Sequence, residues 1–341
     1  MKKLTIFLPA FLIFWASCSK RDSAPASVAP SNLTISTVIS TDSSGNVTFT
    51  ATADHAVSYD FDFGNNIKQP GTSGTVVYKY PFSGSYTVTV TAIGSDGKSV
   101  YKTTTVTVAV ALKLFWSDEF DKDGSPDSAS WGFDIGTGSG GWGNNELEYY
   151  TSRQTNAIVS NGMLKIIAQK EAYGGSSYTS ARMLSYNKFS FQYGKIDVRA
   201  KLPASTGTWP AIWMLGNNLS SVGWPACGEI DIMEQSGSQK STIYGTMHYP
   251  TEVGQYGDGS TTTIADASTA FHTYTALWTP NSIKLSVDGT DYYSLANYTG
   301  LPFNQPFFII LNVAMGGNFG GTVDLAFTTD SMVVDYVRIY K

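Results

Sequence analysis

The sequence predicts an all-β protein made of two β-sandwiches, a smaller one followed by a larger one. Three observations support this prediction. The chain has 341 residues, which is comfortable for two domains. Short runs rich in Thr, Val and Tyr are separated by Gly-rich turns, a pattern typical of strands. No stretch carries a sustained apolar stripe at helical spacing. Hydrophobic residues make up 42% of the chain, enough to fill two cores.

The N-terminal segment is expected to lie outside the fold. Two lysines precede an apolar run over 4–15 that is too short to span a bilayer, which predicts a signal peptide over 1–17. Small residues before Cys18 resemble the cleavage site of bacterial lipoproteins, although Trp15 replaces the usual Leu. We expect export, with Cys18 as a lipid anchor at the outer membrane or cell surface, and otherwise secretion. A Ser/Ala/Pro tether follows over 18–31.

Charge and cysteine content narrow the range of partners. Removal of 1–17 takes away two lysines, so the formal net charge goes from −5 to −7. This acidic balance argues against a nucleic-acid partner and leaves a carbohydrate open. Cys18 and Cys227 are the two cysteines, so a lipidated Cys18 would leave no internal disulfide. We expect Cys227 to be a small packing residue and the protein to be a monomer.

The smaller sandwich is predicted over 32–110. Strict alternation in 86–91 and Asn/Gly/Asp turns indicate about seven short strands, as in an immunoglobulin-like sandwich. The segment 59–64, YDFDFG, together with 84–90, GSYTVTV, resembles the PKD domain. Phe61 stands where that family usually has Trp. The resemblance implies a spacer beside a catalytic domain, and no cluster of exposed aromatic residues supports a glycan-binding role instead.

The larger sandwich is predicted over 111–341. It reads as many short strands separated by Gly-rich turns, with no internal repeat. The length and the spacing fit a two-sheet, concanavalin-like jelly roll.

The segment 228–237, GEIDIMEQSG, places three acids within six residues of this domain. In a regular strand Glu229 and Asp231 would share one face and Glu234 would point the other way. A β-bulge with Met233 as the extra residue would bring Glu234 back into phase. The alternating apolar residues argue against a Ca²⁺-binding loop, which needs a longer series of oxygen ligands.

A row of carboxyl groups on one face suits glycoside hydrolysis. A retaining enzyme needs two carboxyl groups about 5–5.5 Å apart, and an inverting one about 6.5–9.5 Å. The outer glutamates lie four strand positions apart once the bulge is discounted, so their Cα atoms are on the order of 13 Å apart. Side chains that lean inward can close most of that gap, and the spacing alone does not exclude an inverting mechanism.

The acidic segment resembles the signature of glycoside hydrolase family 16 in its bulge-containing form. The rest of the domain agrees in order along the chain, and 142–150, WGNNELEYY, resembles the laminarinase-like members. The resemblance implies that Glu229 is the nucleophile and Glu234 the acid/base. Asp231 would hold Glu229 by a hydrogen bond and favour a protonated Glu234. No cofactor is implied for catalysis. Further matching segments are 116–120, 178–182, 191–194, 209–215, 245–248, 311–317 and 334–338.

Other residues are candidates for substrate binding, each with a structural alternative. Aromatic rings can cover the apolar face of a sugar or simply fill a core. Polar side chains can bind sugar hydroxyls or satisfy internal groups. A lone histidine is usually structural, but we expect one to lie on a strand beside the catalytic one. These candidates are Trp209, Trp213 and Trp224 for stacking, and Asn145, Arg182, Asn312 and His248 for polar contacts.

The family resemblance also implies a structural Ca²⁺. Glu119, Gly162 and Asp335 match the usual ligand segments, partly through backbone carbonyls.

These observations predict an exported endo-β-glucanase with a retaining mechanism. The expected bond is β-1,3 between glucose units, in laminarin-type or mixed β-1,3-1,4 glucans. Another family 16 specificity, such as lichenase, agarase or carrageenase, remains open, because the loops 137–150, 217–227 and 251–268 do not reveal linkage. A glycan-binding jelly roll without catalysis is the alternative from another class. Such a binder has no need for two glutamates held on one face.

Overall fold

The computed structural model describes residues 28–251 and 257–341. The predicted signal peptide, Cys18 and most of the tether therefore lie outside the described residues. None of the helices in the described part of the chain has the length and apolar character needed to cross a membrane.

The first seven strands form a small sandwich. A three-stranded sheet has the order β1-β2-β5, and a four-stranded sheet has the order β4-β3-β6-β7. Alternate residues of these strands, such as Phe49, Phe61 and Val88, are fully buried between the two sheets. Phe61 thus fills the core of this sandwich. The strands are β1 Ser31–Ile39, β2 Asn46–Asp54, β3 Ala56–Asp62, β4 Lys68–Thr72, β5 Thr75–Lys79, β6 Gly84–Gly94 and β7 Ser99–Val108.

The remaining strands form a larger sandwich with very little helix. Its helical elements are a π-helical turn at Gly141–Asn145, α1 at Leu219–Val222 and α2 at Gly317–Gly320. The strands are β8 Leu114–Asp118, β9 Gly132–Asp134, β10 Glu148–Tyr150, β11 Ala157–Val159, β12 Leu164–Tyr173, β13 Ser176–Ser180, β14 Arg182–Leu184, β15 Gly194–Lys201, β16 Thr208–Gly216, β17 Glu229–Gln235, β18 Thr242–His248, β19 Asp258–Thr263, β20 His272–Trp278, β21 Ser282–Val287, β22 Thr290–Ala296, β23 Phe307–Met315 and β24 Thr329–Tyr340.

Two sheets enclose the core of this sandwich. A ten-stranded sheet has the order β10-β13-β12-β24-β15-β20-β21-β22, with β11 and β8 pairing to β12 and β24. A seven-stranded sheet has the order β19-β18-β17-β16-β23-β14-β9. Apolar residues from both sheets, including Ile230, Trp278 and Leu285, form one continuous buried cluster. This confirms the all-β prediction, and it leaves the other face of the seven-stranded sheet free to carry polar side chains.

Candidate active site

A bulge in β17 places three carboxyl groups on one face. In the pairing with β18, Glu229 lies opposite His248, Asp231 opposite Thr246 and Glu234 opposite Tyr244. Three steps along β17 therefore match two steps along β18, as expected for one extra residue. All three acids point away from the core, onto a surface that we call the acid face. The predicted bulge is thus confirmed.

The extra residue is Ile232, and the expectation of Met233 was wrong. In the pairing with β16, Met233 lies opposite Ile212 and Asp231 opposite Trp213, which leaves Ile232 without a partner. Ile232 and Met233 are both fully buried. Because both side chains enter the core, the sequence alone could not tell which of them is the inserted one.

The bulge is supported from the opposite sheet. The hydroxyl of Tyr292 on β22 donates a hydrogen bond to the carbonyl oxygen of Ile232, with an oxygen–oxygen distance of 3.2 Å. Gly245 on β18 leaves room for this contact, since a Cβ atom there would collide with the Tyr292 hydroxyl and with Leu285.

Gly245→Ala is therefore expected to destabilise the sandwich by about 1–3 kcal/mol, because the added methyl group overpacks the core beneath the bulge. Thermal or urea unfolding measures this change. Gly132→Ala is a matched control in the same sheet, since its Cβ would meet nothing closer than 3.8 Å. Equal stability of the two variants would show that the space at Gly245 is not needed.

Trp224 and His248 lie beside Glu229. Trp224 donates a hydrogen bond from Nε1 to Oε2 of Glu229 at 3.1 Å. His248 Nε2 lies 3.6 Å from Oε1 of Glu229 and 3.1 Å from Oδ2 of Asp231. The expected hydrogen bond from Asp231 to Glu229 is not formed among the described contacts, and Asp231 acts on Glu229 through its charge. The prediction that His248 lies on a strand beside the catalytic one is confirmed.

Glu234 lies beside an aromatic cluster. Trp209 donates from Nε1 to Oε1 of Glu234 at 2.9 Å. The ring of Phe319, from α2, packs edge-on against Trp209 with a centroid distance of 5.3 Å and against Tyr244 at 4.9 Å. The indole donor fixes the position of the carboxyl group.

Burial sets the protonation of the acid row. It raises the pKa of Glu229 well above the ordinary value, and the charge of Asp231 raises it further. The pKa of Asp231 is raised by burial and then by Glu234. Burial also raises the pKa of Glu234, while the hydrogen bond from Trp209 lowers it. Because neighbouring buried carboxyl groups resist joint ionisation, the row favours states in which at least one of the three is protonated. It can therefore supply an acid and a base side by side.

Trp209→Phe is expected to extend activity to higher pH. Loss of the indole donor raises the pKa of Glu234 further, so the general acid stays protonated longer and the alkaline limb of the pH–rate profile moves upward. The pH dependence of kcat for wild type and variant measures this shift. Trp116→Phe, on the other sheet, is the control and should leave the limb in place. A downward shift with Trp209→Phe would contradict the prediction.

Arg182 and two tryptophans form a second group on the acid face. The Arg182 guanidinium lies 4.7 Å from the ring centroids of both Trp142 and Trp213, and its Nε lies 3.0 Å from an oxygen of Asp134. Trp213 and Trp209 share one face of β16, as their spacing predicted. Asn312 accepts a hydrogen bond from Trp213 Nε1 at 2.8 Å. Sugar contacts from this group would thus come from rings held in fixed positions.

Two of the amide side chains that were predicted to bind sugar hydroxyls form hydrogen bonds within the protein instead. Asn312 is 5% exposed, and its Nδ2 donates to the hydroxyl of Tyr150 at 3.1 Å. Asn145 donates from Nδ2 to Oδ1 of Asn318 at 2.8 Å, which links the π-helical turn to α2. Both residues therefore shape the acid face through their neighbours.

Glu146, Glu148 and Tyr150 were not singled out from the sequence, yet they form a buried network below Trp213. Tyr150 donates to Oε2 of Glu146 at 2.9 Å, and Asn144 donates to Oε1 at 3.2 Å. The period-two spacing of these three residues was the available signal, since alternate residues share a face.

Potential metal ligands occur at two places. One nitrogen of His248 and one oxygen each of Glu229 and Asp231 lie within 4.8 Å of one another, and this is the one such group of three among the described residues. Of the predicted calcium ligands, Glu119 accepts two hydrogen bonds from Arg338, and Asp335 is paired with Arg199.

These arginines matter for the calcium prediction. Gly162 lies in the turn between β11 and β12 and offers a carbonyl. A calcium ion would have to displace an arginine from each carboxylate, so the side chains as placed do not fit an open calcium site. The ion stays a prediction that rests on the family resemblance.

An acid and a base fixed side by side on one sheet of a β-sandwich suit the chemistry of one class of protein, the glycoside hydrolases. The chain belongs to glycosyl hydrolases family 16, whose model matches residues 144–338. This range contains the whole acid row. A second model, the beta-glucan synthesis-associated protein SKN1/KRE6/Sbg1, matches residues 53–232 and ends before Glu234.

Individual relatives agree with this family. A beta-glucanase of Rhodothermus marinus is 44% identical over 246 residues, which cover 67% of this chain and 85% of the relative. The crystal structure of a LamA variant from Z. galactanivorans, in complex with laminaritriose and laminaritetraose, is 43% identical with a TM-score of 0.63 and covers 67% of this chain and 98% of its own. A keratan-sulfate endo-1,4-beta-galactosidase of Sphingobacterium multivorum is 36% identical over 246 residues, covering 70% and 57%.

Proposed function

We propose that this glycoside hydrolase is an endo-acting β-1,3-glucanase that cleaves laminarin-type or mixed β-1,3-1,4 glucans with retention of configuration. The observation that carries the proposal is the bulged strand, which places Glu229 and Glu234 on one face with a separate indole donor on each. The relatedness to a beta-glucanase and to a structure with bound laminarin oligosaccharides supports the choice of substrate.

The first half of the mechanism forms a covalent intermediate. An oxygen of ionised Glu229 attacks the anomeric carbon while the bond to the leaving oxygen breaks, and that oxygen takes the proton of Glu234. The hydrogen bond from Trp224 holds the carboxylate of Glu229 in place for the attack, and His248 lies beside it.

The second half returns the enzyme to its starting state. Glu234, now ionised, removes a proton from water, and the resulting nucleophile displaces Glu229 from the anomeric carbon. Two displacements on opposite faces restore the β configuration. Throughout both steps the Asp231–Glu234 pair resists full ionisation, which favours the return of the proton to Glu234.

Product analysis tests the proposal. Laminarin, barley mixed-linkage glucan, agarose and κ-carrageenan are incubated with the protein, and new reducing ends are followed by NMR within the first minutes. Short oligosaccharides from laminarin with β configuration would support substrate and mechanism together, whereas α products would show inversion.

A galactan specificity is the second candidate, and the 36% identity to a keratan-sulfate endo-1,4-beta-galactosidase favours it. Cleavage of agarose or κ-carrageenan alone would keep the acid row and replace the glucan. No cleavage of any of the four would favour a glycan-binding protein.

Export and anchoring at Cys18 are part of the proposal, and they are supported by the sequence of the N-terminal segment. The small sandwich would then act as a spacer between the lipid and the catalytic sandwich. Metabolic labelling with a fatty acid should mark the wild type and leave Cys18→Ser unlabelled. Equal labelling of both would exclude a lipid at Cys18.

A further inference from the structure

Glu148 is a fully buried acid at the back of the acid face. One of its oxygens, Oε2, accepts the backbone N–H of Met315 at 2.6 Å. The other, Oε1, has no donor among the described groups. The carboxyl group of Glu146 is a neighbour of the Glu148 carboxyl group and raises its pKa, both by charge and by a carboxyl–carboxyl hydrogen bond. Since a carboxylate can only accept, a hydrogen bond between two carboxyl groups requires a proton on one of them.

The hydrogen bonds received by Glu146 and Glu148 indicate which of the two carboxyl groups carries the proton. Both oxygens of Glu146 accept hydrogen bonds, from Asn144 and from Tyr150, which suits an ionised group. Glu148 receives one hydrogen bond and is fully buried, which suits a neutral group that can donate. The pKa of Glu148 is raised well above the ordinary value, first by burial and then by the charge of Glu146.

The position of this proton orients a chain of hydrogen bonds. Tyr150 must donate to Glu146, so its oxygen accepts from Asn312 Nδ2. That contact turns Oδ1 of Asn312 toward Trp213, whose Nε1 donates to it at 2.8 Å. Trp213 lies opposite Asp231 across the pairing of β16 and β17 and stacks on Arg182.

We propose that Glu148 is a positioning residue, which donates its proton to Glu146 and thereby fixes the hydrogen-bonded chain that holds Trp213 beside the acid row. The charged and titratable groups around this chain are Glu146, Tyr150 and Arg182, with Glu234 further along. Ionisation of Glu148 would place two negative charges together and break the chain at its first link. The chain gives the indole of Trp213 one orientation, so substrate binding there requires a neutral Glu148.

The pH dependence of stability tests the proton on Glu148 without any substrate. Folded Glu148 keeps a proton that the unfolded chain releases above about pH 4.3, so the contribution of Glu148 to wild-type stability falls as pH rises from that value toward the raised pKa. In the Glu148→Gln variant, the new amide would donate to Glu146 and accept from Met315 with no proton to lose. The Tm of the full chain with Glu148→Gln, relative to wild type, should therefore rise between about pH 5 and about pH 8, by at least about 3 °C. A difference that stays constant over this range would overturn the proposal.

A double-mutant cycle tests the link to Trp213 and does not depend on Glu148 variants. It rests on the proposed function, because it uses kcat/KM for laminarin. Tyr150→Phe and Trp213→Phe should each lower kcat/KM about 5- to 20-fold, mainly by raising KM, and the double variant should lose no more than the worse single one. Effects that multiply in the double variant would overturn the proposal.

A neighbouring residue supplies the control for this cycle. Tyr149, next to Tyr150, packs its ring on Tyr173, and Tyr149→Phe should leave kcat/KM unchanged. If wild type fails to cleave laminarin, the proposed function fails while the stability measurement still decides the role of Glu148.

Discussion

Glu229→Gln is expected to lower kcat on laminarin by about 10³-fold or more while oligosaccharide affinity changes only a few-fold. The substitution keeps the shape and the hydrogen bond from Trp224, but an amide oxygen cannot form and release the glycosyl bond. Steady-state kinetics measure the first effect, and calorimetric titration with laminaritetraose measures the second.

A rescue experiment separates the nucleophile from a merely structural carboxylate. Glu229→Ala leaves space for azide, which should restore cleavage and give a glycosyl azide of α configuration. In Glu234→Ala, by contrast, azide would attack the covalent intermediate and give the β product. Unchanged turnover by Glu229→Gln, or a β azide from Glu229→Ala, would contradict the assigned roles.

Glu234→Gln is expected to lower kcat/KM on polysaccharide about 10²- to 10⁴-fold, with a much smaller loss of kcat/KM on substrates that have a good leaving group. General acid catalysis typically accelerates cleavage of a bond to a poor leaving group by about 10²- to 10⁴-fold, and this acceleration is lost in the variant. The aryloxide of an activated aryl β-glucoside oligomer can leave without a proton. The first step on such a substrate should therefore stay fast. Burst kinetics with such a substrate would show rapid release of the aryl alcohol followed by slow turnover.

Trp209→Phe is the matched control for Glu234→Gln, because it removes the hydrogen-bond partner and keeps the acid. It should retain most of the activity on polysaccharide and shift the pH profile. Equal losses of kcat/KM by Glu234→Gln on polysaccharide and on the activated substrate would exclude Glu234 as the general acid.

Local patterns were sufficient to predict the acid face. The alternation in 228–237 required a bulge to make chemical sense, and the pairings of β17 with both neighbours show it. The spacing of Trp209 and Trp213 predicted one shared face, and both rings lie there. These features depend on the alternation of side chains between the two faces of a strand, which a few consecutive residues are enough to predict.

Features that depend on contacts between distant segments could not be predicted. The choice of Ile232 over Met233 is made by packing in the core, where either side chain would fit the pattern. The contact between Tyr292 and the bulge joins residues 60 positions apart, and that between Tyr150 and Asn312 joins residues 162 apart. Nothing in the sequence near Glu148 shows that Met315 would supply its hydrogen bond.

The bulge in β17 also bears on how this strand can change length during evolution. Loss of one residue from a strand normally turns every later side chain to the opposite face. Deletion of the codon for Ile232 would instead leave Glu, Asp and Glu at alternate positions of a regular strand, still facing outward. The acid row is thus compatible with two strand lengths, and the longer one adds a second consecutive apolar anchor to the core. A single in-frame deletion would thus keep the three carboxyl groups on one face.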